Sequence, residues 1–344
     1  MTETVGSSAW LRRVFEEEAR DDLFAGHAPQ EQPVLVLLGG QPAAGKTRAQ
    51  HAILAEHVAD DLVEITGDDL REYHPDFRRL ATRAPFEMPA ATAPVSGGLV
   101  KLALDHALER RYSVLLEGTF RDPGMVTGTA TRFAEAGYRV EVVAVATPAP
   151  VSRLSAEMRS LGDGPNEPGR WTPPEAHETA LAGSAGVLSA LEALPHIARV
   201  RVFSREAQLF DNQRDAAGEW EKEPVAAHTL RHEQQRPLPP GTAAQWLKDH
   251  SSVYARAKRR PGYLGAQTVP TYARLQDDAA QMLRILSGRA MAPEFLLHEH
   301  QRRQLDLEHR LPSGTFPPRP PRDLGQPTTG ERHGVDRRGP SLGR

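Results

Sequence analysis

Short apolar runs alternate with amphipathic segments through the first 213 residues, and this alternation predicts the fold class. Five apolar runs predict buried strands, at 33–38, 62–66, 112–116, 138–146 and 199–203. Apolar residues at helical spacing between them predict helices at 46–58, 98–110, 124–136, 151–161 and 173–194. Repeated strand–helix units favour a parallel sheet with helices on both faces, which is an α/β fold. Residues 209–212 either extend the last strand or form a hairpin with it.

The segments around this core have less regular patterns. Residues 7–25 predict an amphipathic helix, which either covers the core or offers a surface to a partner. A short helix at 71–75 is expected to end at Pro75. Residues 81–98 are rich in Ala, Pro and Thr, and we expect an irregular loop there.

The pattern changes after residue 213, so residues 1–213 are expected to form the α/β domain. Residues 214–240 are polar and Pro-rich, as in a linker. Helical spacing at 242–258, 271–287 and 293–309 predicts a helical extension over residues 241–310. Residues 311–344 hold seven Pro and six Gly. We expect a disordered tail, because this composition cannot bury enough apolar surface to offset the entropy of ordering.

Composition narrows the classes of function. The net charge of −3 at pH 7 gives no overall field that favours nucleic acid or a membrane surface. The basic cluster at 256–260 is as short as a solvated helix end, so we expect no nucleic-acid partner. The absence of cysteine excludes disulfides, Cys-based metal sites and Cys nucleophiles. No signal peptide or membrane-spanning apolar run is evident, so we expect a cytoplasmic protein with no membrane partner.

The strongest candidate for chemistry follows the first strand. From Gly40 to Thr47 the chain reads GQPAAGKT, the spacing of a phosphate-binding loop. In such a loop the backbone N–H groups surround a phosphate, the lysine reaches the β- and γ-phosphates, and the Thr hydroxyl binds Mg²⁺. The alternative is a glycine-rich turn that matches by chance, but the strand before it and the helix after it favour the loop. The predicted nucleotide-binding residues are Gly40, Gln41, Pro42, Ala43, Ala44, Gly45, Lys46 and Thr47.

Polar side chains also follow the second and third strands. Asp68 and Asp69 come after the strand at 62–66, and Glu117, Thr119 and Arg121 come after the strand at 112–116. Parallel sheets bind ligands at the carboxyl ends of their strands, so Asp68 is placed where chemistry would occur. One of the two aspartates could instead cap a helix. The segment 117–121 would point its three polar side chains one way if it is extended, whereas the alternative is an incidental surface turn.

Two arginines flank a Gly-rich loop at 162–169. Arg159 precedes this loop and Arg170 follows it. The arrangement suggests a mobile lid that closes over a nucleotide and brings both cations to the phosphoryl group. The alternative is two exposed arginines with no catalytic role, and the arginines taken alone favour it.

Four ordered motifs within residues 10–212 resemble the zeta toxins of bacterial toxin–antitoxin systems. They are the loop at 40–47, ITGDDLREYHPDF at 65–77, EGTFR at 117–121 and RWTPPEAH at 170–177. The phosphate-binding loop alone is shared by many families, whereas the four motifs in this order are quite specific. Two departures from the family pattern are Thr66 and the Ala- and Pro-rich segment 81–98. Residues after Asn212 have no counterpart that we recognise in the family.

The resemblance implies a P-loop kinase fold, ATP and Mg²⁺ as cofactors, and a protein antitoxin as a partner. The implied reaction is phosphorylation of a hydroxyl of UDP-N-acetylglucosamine or a related UDP-amino sugar. The implied catalytic residues are Asp68, which would take the proton of the sugar hydroxyl, and Lys46, Arg159 and Arg170. Thr47 and Asp68 would hold the metal ion. The implied substrate contacts are Glu117, Thr119 and Arg121, joined by Ser96 from the segment 81–98.

Two other interpretations stay open. A related kinase could phosphorylate another acceptor, such as an antibiotic, a dinucleotide or a nucleic-acid hydroxyl. A non-catalytic ATP-binding regulatory protein would instead use its C-terminal helices as the working surface. The identity of the phosphorylated product distinguishes a kinase with another acceptor from a kinase of UDP-amino sugars. Turnover that depends on Asp68 would exclude the non-catalytic protein.

Overall fold

A six-stranded sheet forms the centre of the computed structural model, which describes residues 3–162, 169–288 and 294–310. The strands are β1 Val34–Gly39, β2 Val63–Thr66, β3 Val114–Glu117, β4 Arg139–Val145, β5 Ile197–Phe203 and β6 Gln208–Gln213. Their order in the sheet is β2-β3-β1-β4-β5-β6. The first five strands are parallel, and β6 pairs antiparallel to β5. The α/β class is thereby confirmed, and residues 209–212 belong to a hairpin.

Helices cover the sheet and continue beyond it. In the first half of the described chain they are α1 Ser8–Val14, α2 Arg20–Phe24, α3 Lys46–Glu56, α4 Phe77–Arg83, α5 Met88–Arg110 and α6 Pro123–Glu135. They are followed by α7 Ala149–Leu161, α8 Pro174–Glu192, α9 Ala226–Gln235, α10 Pro240–Arg259, α11 Val269–Ser287 and α12 Glu294–Glu308. A π-helical turn joins α1 to α2, and a 3₁₀ helix, Asp69–Tyr73, follows β2.

The core has two layers, one on each face of the sheet, because successive side chains of a strand point to opposite faces. Leu35 and Leu37 of β1 join the larger layer, which includes Trp10 of α1 and Leu99 of α5. Val34, Val36 and Leu38 join the smaller layer, which includes Ile53 of α3. Because β1 is buried on both faces, the loop at its carboxyl end starts from a rigid point.

The expected irregular loop at 81–98 is wrong. Helix α4 ends at Arg83, and α5 begins at Met88 and runs to Arg110. Pro89 is tolerated because it lies in the first turn, where its missing N–H has no intrahelical partner to lose. Packing offsets the cost of Pro94 inside the helix, since Val95 and Leu99 are buried in the core. Local composition therefore misled the prediction.

The residues after β6 also pack on the sheet domain. The segment 214–240, expected to be a linker, contains α9, whose Ala226 and Leu230 are buried in the larger core layer. Helices α10 to α12 occur where their spacing predicts them and pack on one another, and α10 and α11 also pack on α7. The expected tail at 311–344 lies outside the described residues. Within the described ranges, no helix combines the length and apolar character that crossing a bilayer requires.

Candidate active site

The loop from Gly40 to Lys46 has the backbone of a phosphate-binding loop. Gly40, Ala43 and Gly45 have φ values of 156°, 57° and 93°. A Cβ on Gly40 would lie 2.7 Å from the carbonyl oxygen of Val145, so glycine is needed for both conformation and space. Helix α3 begins at Lys46, directly after the loop, so the positive end of its dipole lies at the loop. A loop of this shape fits a polyphosphate.

Side chains from neighbouring strand ends hold the loop carbonyls. The hydroxyl of Thr147, which follows β4, donates to the carbonyl of Ala44 at 2.7 Å. Arg205, which follows β5, donates to the carbonyls of Ala43 and Ala44 and to Ser155 Oγ. Sequence reasoning missed Arg205, although it follows a strand at the same edge of the sheet as Asp68 and Glu117. The position of Arg205 after the fifth strand was the signal that could have found it.

The side chain of Gln41 serves the protein interior. It is fully buried, its Nε2 donates to the carbonyl of Thr147 at 2.7 Å, and its Oε1 accepts from Gln234 of α9 at 3.1 Å. Gln234 also donates to Ser184 of α8 at 3.0 Å. Gln41 therefore anchors the loop through its side chain, which leaves only its backbone for the nucleotide contact that the sequence predicted.

Lys46 and Glu117 meet between the loop and the end of β3. Lys46 Nζ lies 3.5 Å from Glu117 Oε1, and both side chains are largely buried. Burial lowers the pKa of Lys46 from its usual value, although the charges of Glu117 and Asp68 favour its protonated form. Arg159 is close enough to lower the pKa of Lys46 further. The site thus concentrates charges of both signs at one edge of the sheet.

Asp68 lies where the 3₁₀ helix begins, but its side chain does not cap that helix. It accepts a hydrogen bond from Arg71 Nε at 3.2 Å and another from Arg170 Nη1 at 2.9 Å. Burial alone would raise the pKa of Asp68, but Arg170 and Arg71 outweigh it and hold the pKa below its usual value. Asp68 is therefore ionised at neutral pH. The neighbouring Asp69 is 76% exposed at its side chain.

Helix α5 supports the turn that carries Asp68. Arg71 Nη1 donates to the carbonyl of Pro89 at 2.9 Å and to Thr92 Oγ1 at 2.7 Å. Ser96, predicted as a substrate contact, donates to the carbonyl of Gly67, directly before Asp68. Sequence reasoning also missed Arg71, although its position three residues after Asp68, at the start of the predicted helix 71–75, was an available signal.

The two flanking arginines reach the same site. Arg170 binds Asp68, and its Nη2 lies 3.9 Å from Asp69 Oδ1. Arg159 donates to Thr172 Oγ1 at 3.2 Å, and its charge helps to lower the pKa of Asp68. The structure therefore brings Lys46, Asp68, Glu117, Arg159 and Arg170 together. Residues 163–168, the tip of the expected lid, lie outside the described residues.

The segment after Glu117 is not extended as the sequence suggested. Phe120 has a left-handed backbone with φ of 47°. Its ring occupies the space beside Gly39, where a Cβ would lie 2.1 Å from it. Within the described ranges, neither Thr119 nor Arg121 forms a hydrogen bond or ion pair with another predicted site residue. Arg121 and Thr47 are exposed. The backbone therefore does not stay extended through residue 121, so the condition under which positions 117, 119 and 121 would share one direction is not met.

The donor set fits a nucleotide-bound magnesium ion better than a metal held by protein alone. Among the residues that the structure describes, no cluster of three or more His, Asp or Glu side chains could hold a metal ion. Mg²⁺ at a nucleotide commonly takes one or two protein ligands and completes its shell with phosphate oxygens and water. Thr47 and Asp68 offer oxygen donors of the required kind.

The sheet order and the phosphate-binding loop define a P-loop fold of the kinase type. The zeta toxin family model matches residues 17–215, more than half of the chain. The chain belongs to the zeta toxin family.

Individual relatives agree with this assignment. Toxin PezT of Streptococcus pneumoniae is 30% identical over 187 residues, which are 54% of this chain and 73% of that toxin. Toxin zeta of Enterococcus hirae is 27% identical over 188 residues, 54% of this chain and 65% of that toxin. A solved structure from the PezAT chromosomal toxin–antitoxin system of S. pneumoniae shares the fold, with a TM-score of 0.60 and 22% identity. That match covers 74% of this chain and 99% of the other.

Proposed function

We propose that this protein is an ATP- and Mg²⁺-dependent kinase that phosphorylates a hydroxyl of UDP-N-acetylglucosamine or a related UDP-amino sugar, and that it acts as a toxin. The observation that carries the proposal is the meeting of an ionised carboxylate, Asp68, with Lys46, Arg159 and Arg170 beside a phosphate-binding loop. Membership in the zeta toxin family supports both the kinase chemistry and the toxic role.

The loop and α3 account for nucleotide binding. Backbone N–H groups from Gly40 to Thr47 would hold the phosphates, and Lys46 would place a charge on the β- and γ-phosphates. Bound ATP would supply the phosphoryl group, with Mg²⁺ at Thr47 and Asp68 offsetting its charge. The interior bonds of Gln41 and Arg205 keep the loop in shape before the nucleotide arrives, so little reorganisation is needed at binding.

Asp68 accounts for activation of the acceptor. A carboxylate with a lowered pKa accepts a hydrogen bond from a hydroxyl at neutral pH and orients its oxygen towards the transferring group. Phosphoryl transfer depends on such positioning and on charge stabilisation more than on covalent chemistry. Asp68 is well suited to this role, because Arg71 fixes it from the side of α5.

Arg170 and Arg159 account for stabilisation of the transferring phosphoryl group. Their guanidinium groups would bind its equatorial oxygens, where negative charge concentrates in the transition state. Arg170 is bound to Asp68 here. Binding of ATP would offer Arg170 a more highly charged partner and free one oxygen of Asp68 for the acceptor hydroxyl.

The acceptor is the part of the proposal that rests most on the family. Glu117, Thr119 and Arg121 lie at the end of β3, on the Asp68 side of β1. A carboxylate, a hydroxyl and a guanidinium there could bind the hydroxyls and diphosphate of a sugar nucleotide. The matching toxin and the solved PezAT structure also support a protein antitoxin as the partner of this chain.

A product assay tests the proposal. Purified full-length protein is mixed with ATP, Mg²⁺ and UDP-N-acetylglucosamine, and the nucleotides are resolved by mass spectrometry, with Lys46→Ala in parallel. A phosphorylated sugar nucleotide formed by the wild type alone is the expected result. ADP that accumulates only when a cell extract is added would retain the kinase and reject this acceptor. Tight ATP binding without turnover under either condition would support a non-catalytic nucleotide-binding protein instead.

A further inference from the structure

Helices α10 and α11, which follow the family-matched segment, bind α7, the helix that carries the active-site residue Arg159. The match ends at residue 215, whereas α10 and α11 lie further along the chain. Trp246 of α10 donates from its indole nitrogen to the carbonyl of Pro150 in α7 at 2.9 Å. Asp278 of α11 forms an ion pair with Arg153 of α7, and both side chains are buried. Helix α7 is therefore fixed along its length by residues outside the matched segment.

Tyr263, in the turn between α10 and α11, binds the last turns of α7. Its hydroxyl donates to Glu157 Oε2 at 2.9 Å and lies 2.7 Å from Ser160 Oγ, which can donate to it. These two partners flank Arg159 in the sequence. Tyr263 is 4% exposed and Glu157 is 2% exposed, so water does not compete for these bonds. The hydroxyl of Tyr263 thus fixes the turn of α7 from which Arg159 projects.

The ring of Tyr263 continues into an aromatic cluster beside Arg170. Phe86 lies between Tyr263 and Trp171, with ring centroids 5.7 Å from the first and 5.1 Å from the second. Trp171 is buried and directly follows Arg170. Tyr263 is therefore linked to both arginines. It contacts the turn of α7 that carries Arg159, and it is connected to Arg170 through Phe86 and Trp171.

We infer that Tyr263 is a positioning residue that holds Arg159 and Arg170 in the geometry needed for phosphoryl transfer. The inference rests on the proposed kinase function. Charge stabilisation of a transition state needs preorganised groups, and a shift of about 1 Å at such a group can cost about 100-fold in rate. Arg256 of α10 supports the same region, because it donates to the carbonyl of Gly162 at the end of α7.

The test compares two tyrosines of the extension in the full-length protein. Tyr263→Phe removes the hydroxyl that binds α7 and keeps the ring. Tyr254→Phe is the matched control, because Tyr254 is also buried and its hydroxyl binds a carboxylate, Asp306, but within the extension. For each variant, kcat and the KM for ATP are measured with UDP-N-acetylglucosamine as acceptor. Hydrogen exchange is followed in peptides covering 157–162 and 169–176, together with the melting temperature.

The expected result is a loss of about tenfold in kcat for Tyr263→Phe, with the KM for ATP changed less than about twofold, since the arginines act mainly in the transition state. Exchange in both peptides should rise in Tyr263→Phe and stay at the wild-type level in Tyr254→Phe. A lowered melting temperature in both variants with unchanged kcat and unchanged exchange in these peptides would overturn the inference.

The exchange measurement separates this inference from the proposed function. If the wild type transfers no phosphate to the sugar nucleotide, the proposed acceptor is wrong, and the exchange comparison still decides whether Tyr263 holds the arginine-bearing segments. If the wild type is active and Tyr263→Phe behaves like Tyr254→Phe in kcat and exchange, only the positioning role is wrong. Tyr263→Leu removes both the hydroxyl and the ring contact with Phe86. It should lower kcat further and raise the exchange in both peptides further than Tyr263→Phe does.

Discussion

Arg170 Nη1 donates to Asp68 Oδ2 at 2.9 Å, although the two residues are 102 positions apart in the chain. The ion pair joins the carboxylate proposed to activate the acceptor with a cation proposed to bind the transferring phosphoryl group. Each side chain is about 40% exposed, so solvent weakens the pair and an incoming phosphate can replace the carboxylate. The pair is thus suited to hold both groups in place and then to open.

Replacing Arg71 by Leu should shift the pH dependence of activity. Arg71 and Arg170 outweigh the effect of burial and keep the pKa of Asp68 low. Without Arg71 the pKa of Asp68 rises, so Asp68 becomes protonated at a higher pH on acidification. The acid limb of the profile of kcat/KM against pH should therefore move to higher pH.

Arg79→Ala is the control for this measurement, since Arg79 forms an exposed ion pair with Asp76 and has no bond to Asp68. Its acid limb should coincide with that of the wild type. An unshifted acid limb in Arg71→Leu would show that another group controls the acid limb.

Replacing Arg205 by Ala should weaken ATP binding. Arg205 donates to two carbonyls of the phosphate-binding loop, and its side chain packs beside Gly45. Loss of charge-assisted hydrogen bonds at a cost of about 1.5–3 kcal/mol corresponds to roughly a tenfold or larger rise in Kd for a fluorescent ATP analogue.

Arg48→Ala is the matched control, because among the described residues Arg48 donates only to the backbone carbonyl of Arg205, so the substitution leaves the contacts of the Arg205 guanidinium in place. It should change the Kd by less than about twofold, within the range of surface substitutions. Equal effects of the two substitutions would argue against a specific role for the Arg205 guanidinium.

Replacing Glu157 by Gln should remove a pH dependence of stability. Burial raises the pKa of Glu157 to about 7, against the opposing effect of the hydrogen bond from Tyr263. Between pH 4.5 and 7 the Glu157 carboxyl is ionised in the unfolded chain but stays protonated in the folded chain. Stability of the wild type therefore falls over this interval by up to about 3 kcal/mol and stays lower above it.

The measurement is urea unfolding of the wild type and of Glu157→Gln at pH 5 and pH 8. The glutamine is neutral at both pH values. The free energy of unfolding of Glu157→Gln should therefore rise, relative to that of the wild type, from pH 5 to pH 8. Glu175→Gln, at an exposed position of α8, is the control and should follow the wild type. Parallel curves for the wild type and Glu157→Gln would contradict the prediction.

Features set by local sequence were predictable, whereas contacts between distant segments were not. The strands and the phosphate-binding loop follow from apolar runs and from one motif, and the carboxyl ends of parallel strands bring Lys46, Asp68 and Glu117 to one edge. Arg205 was missed because its partners, Ala43 and Ala44, are about 160 residues away in the chain. The position of Arg205 after β5 places it at this edge of the sheet, but no local pattern encodes its bonds to the loop carbonyls.

The two mistaken secondary-structure expectations have a related cause. Residues 88–98 contain two prolines and many alanines, yet burial of Val95 against the core makes them helical. Helix α9 has a polar composition, and its two buried apolar residues, Ala226 and Leu230, are too few to reveal it. In both cases tertiary packing outweighed local propensity.

The most direct test of the account is the rate of phosphate transfer in Asp68→Asn compared with Asp69→Asn. The two residues are adjacent, but Asp68 binds Arg71 and Arg170 whereas Asp69 is mostly exposed. We predict that Asp68→Asn loses about 100-fold or more in kcat, as expected for removal of a general base, while its Kd for the ATP analogue, measured without Mg²⁺, stays close to that of the wild type. Asp69→Asn should keep kcat within about threefold, as expected for an exposed substitution. Full activity in Asp68→Asn, or equal losses in the two variants, would contradict the central role given to Asp68.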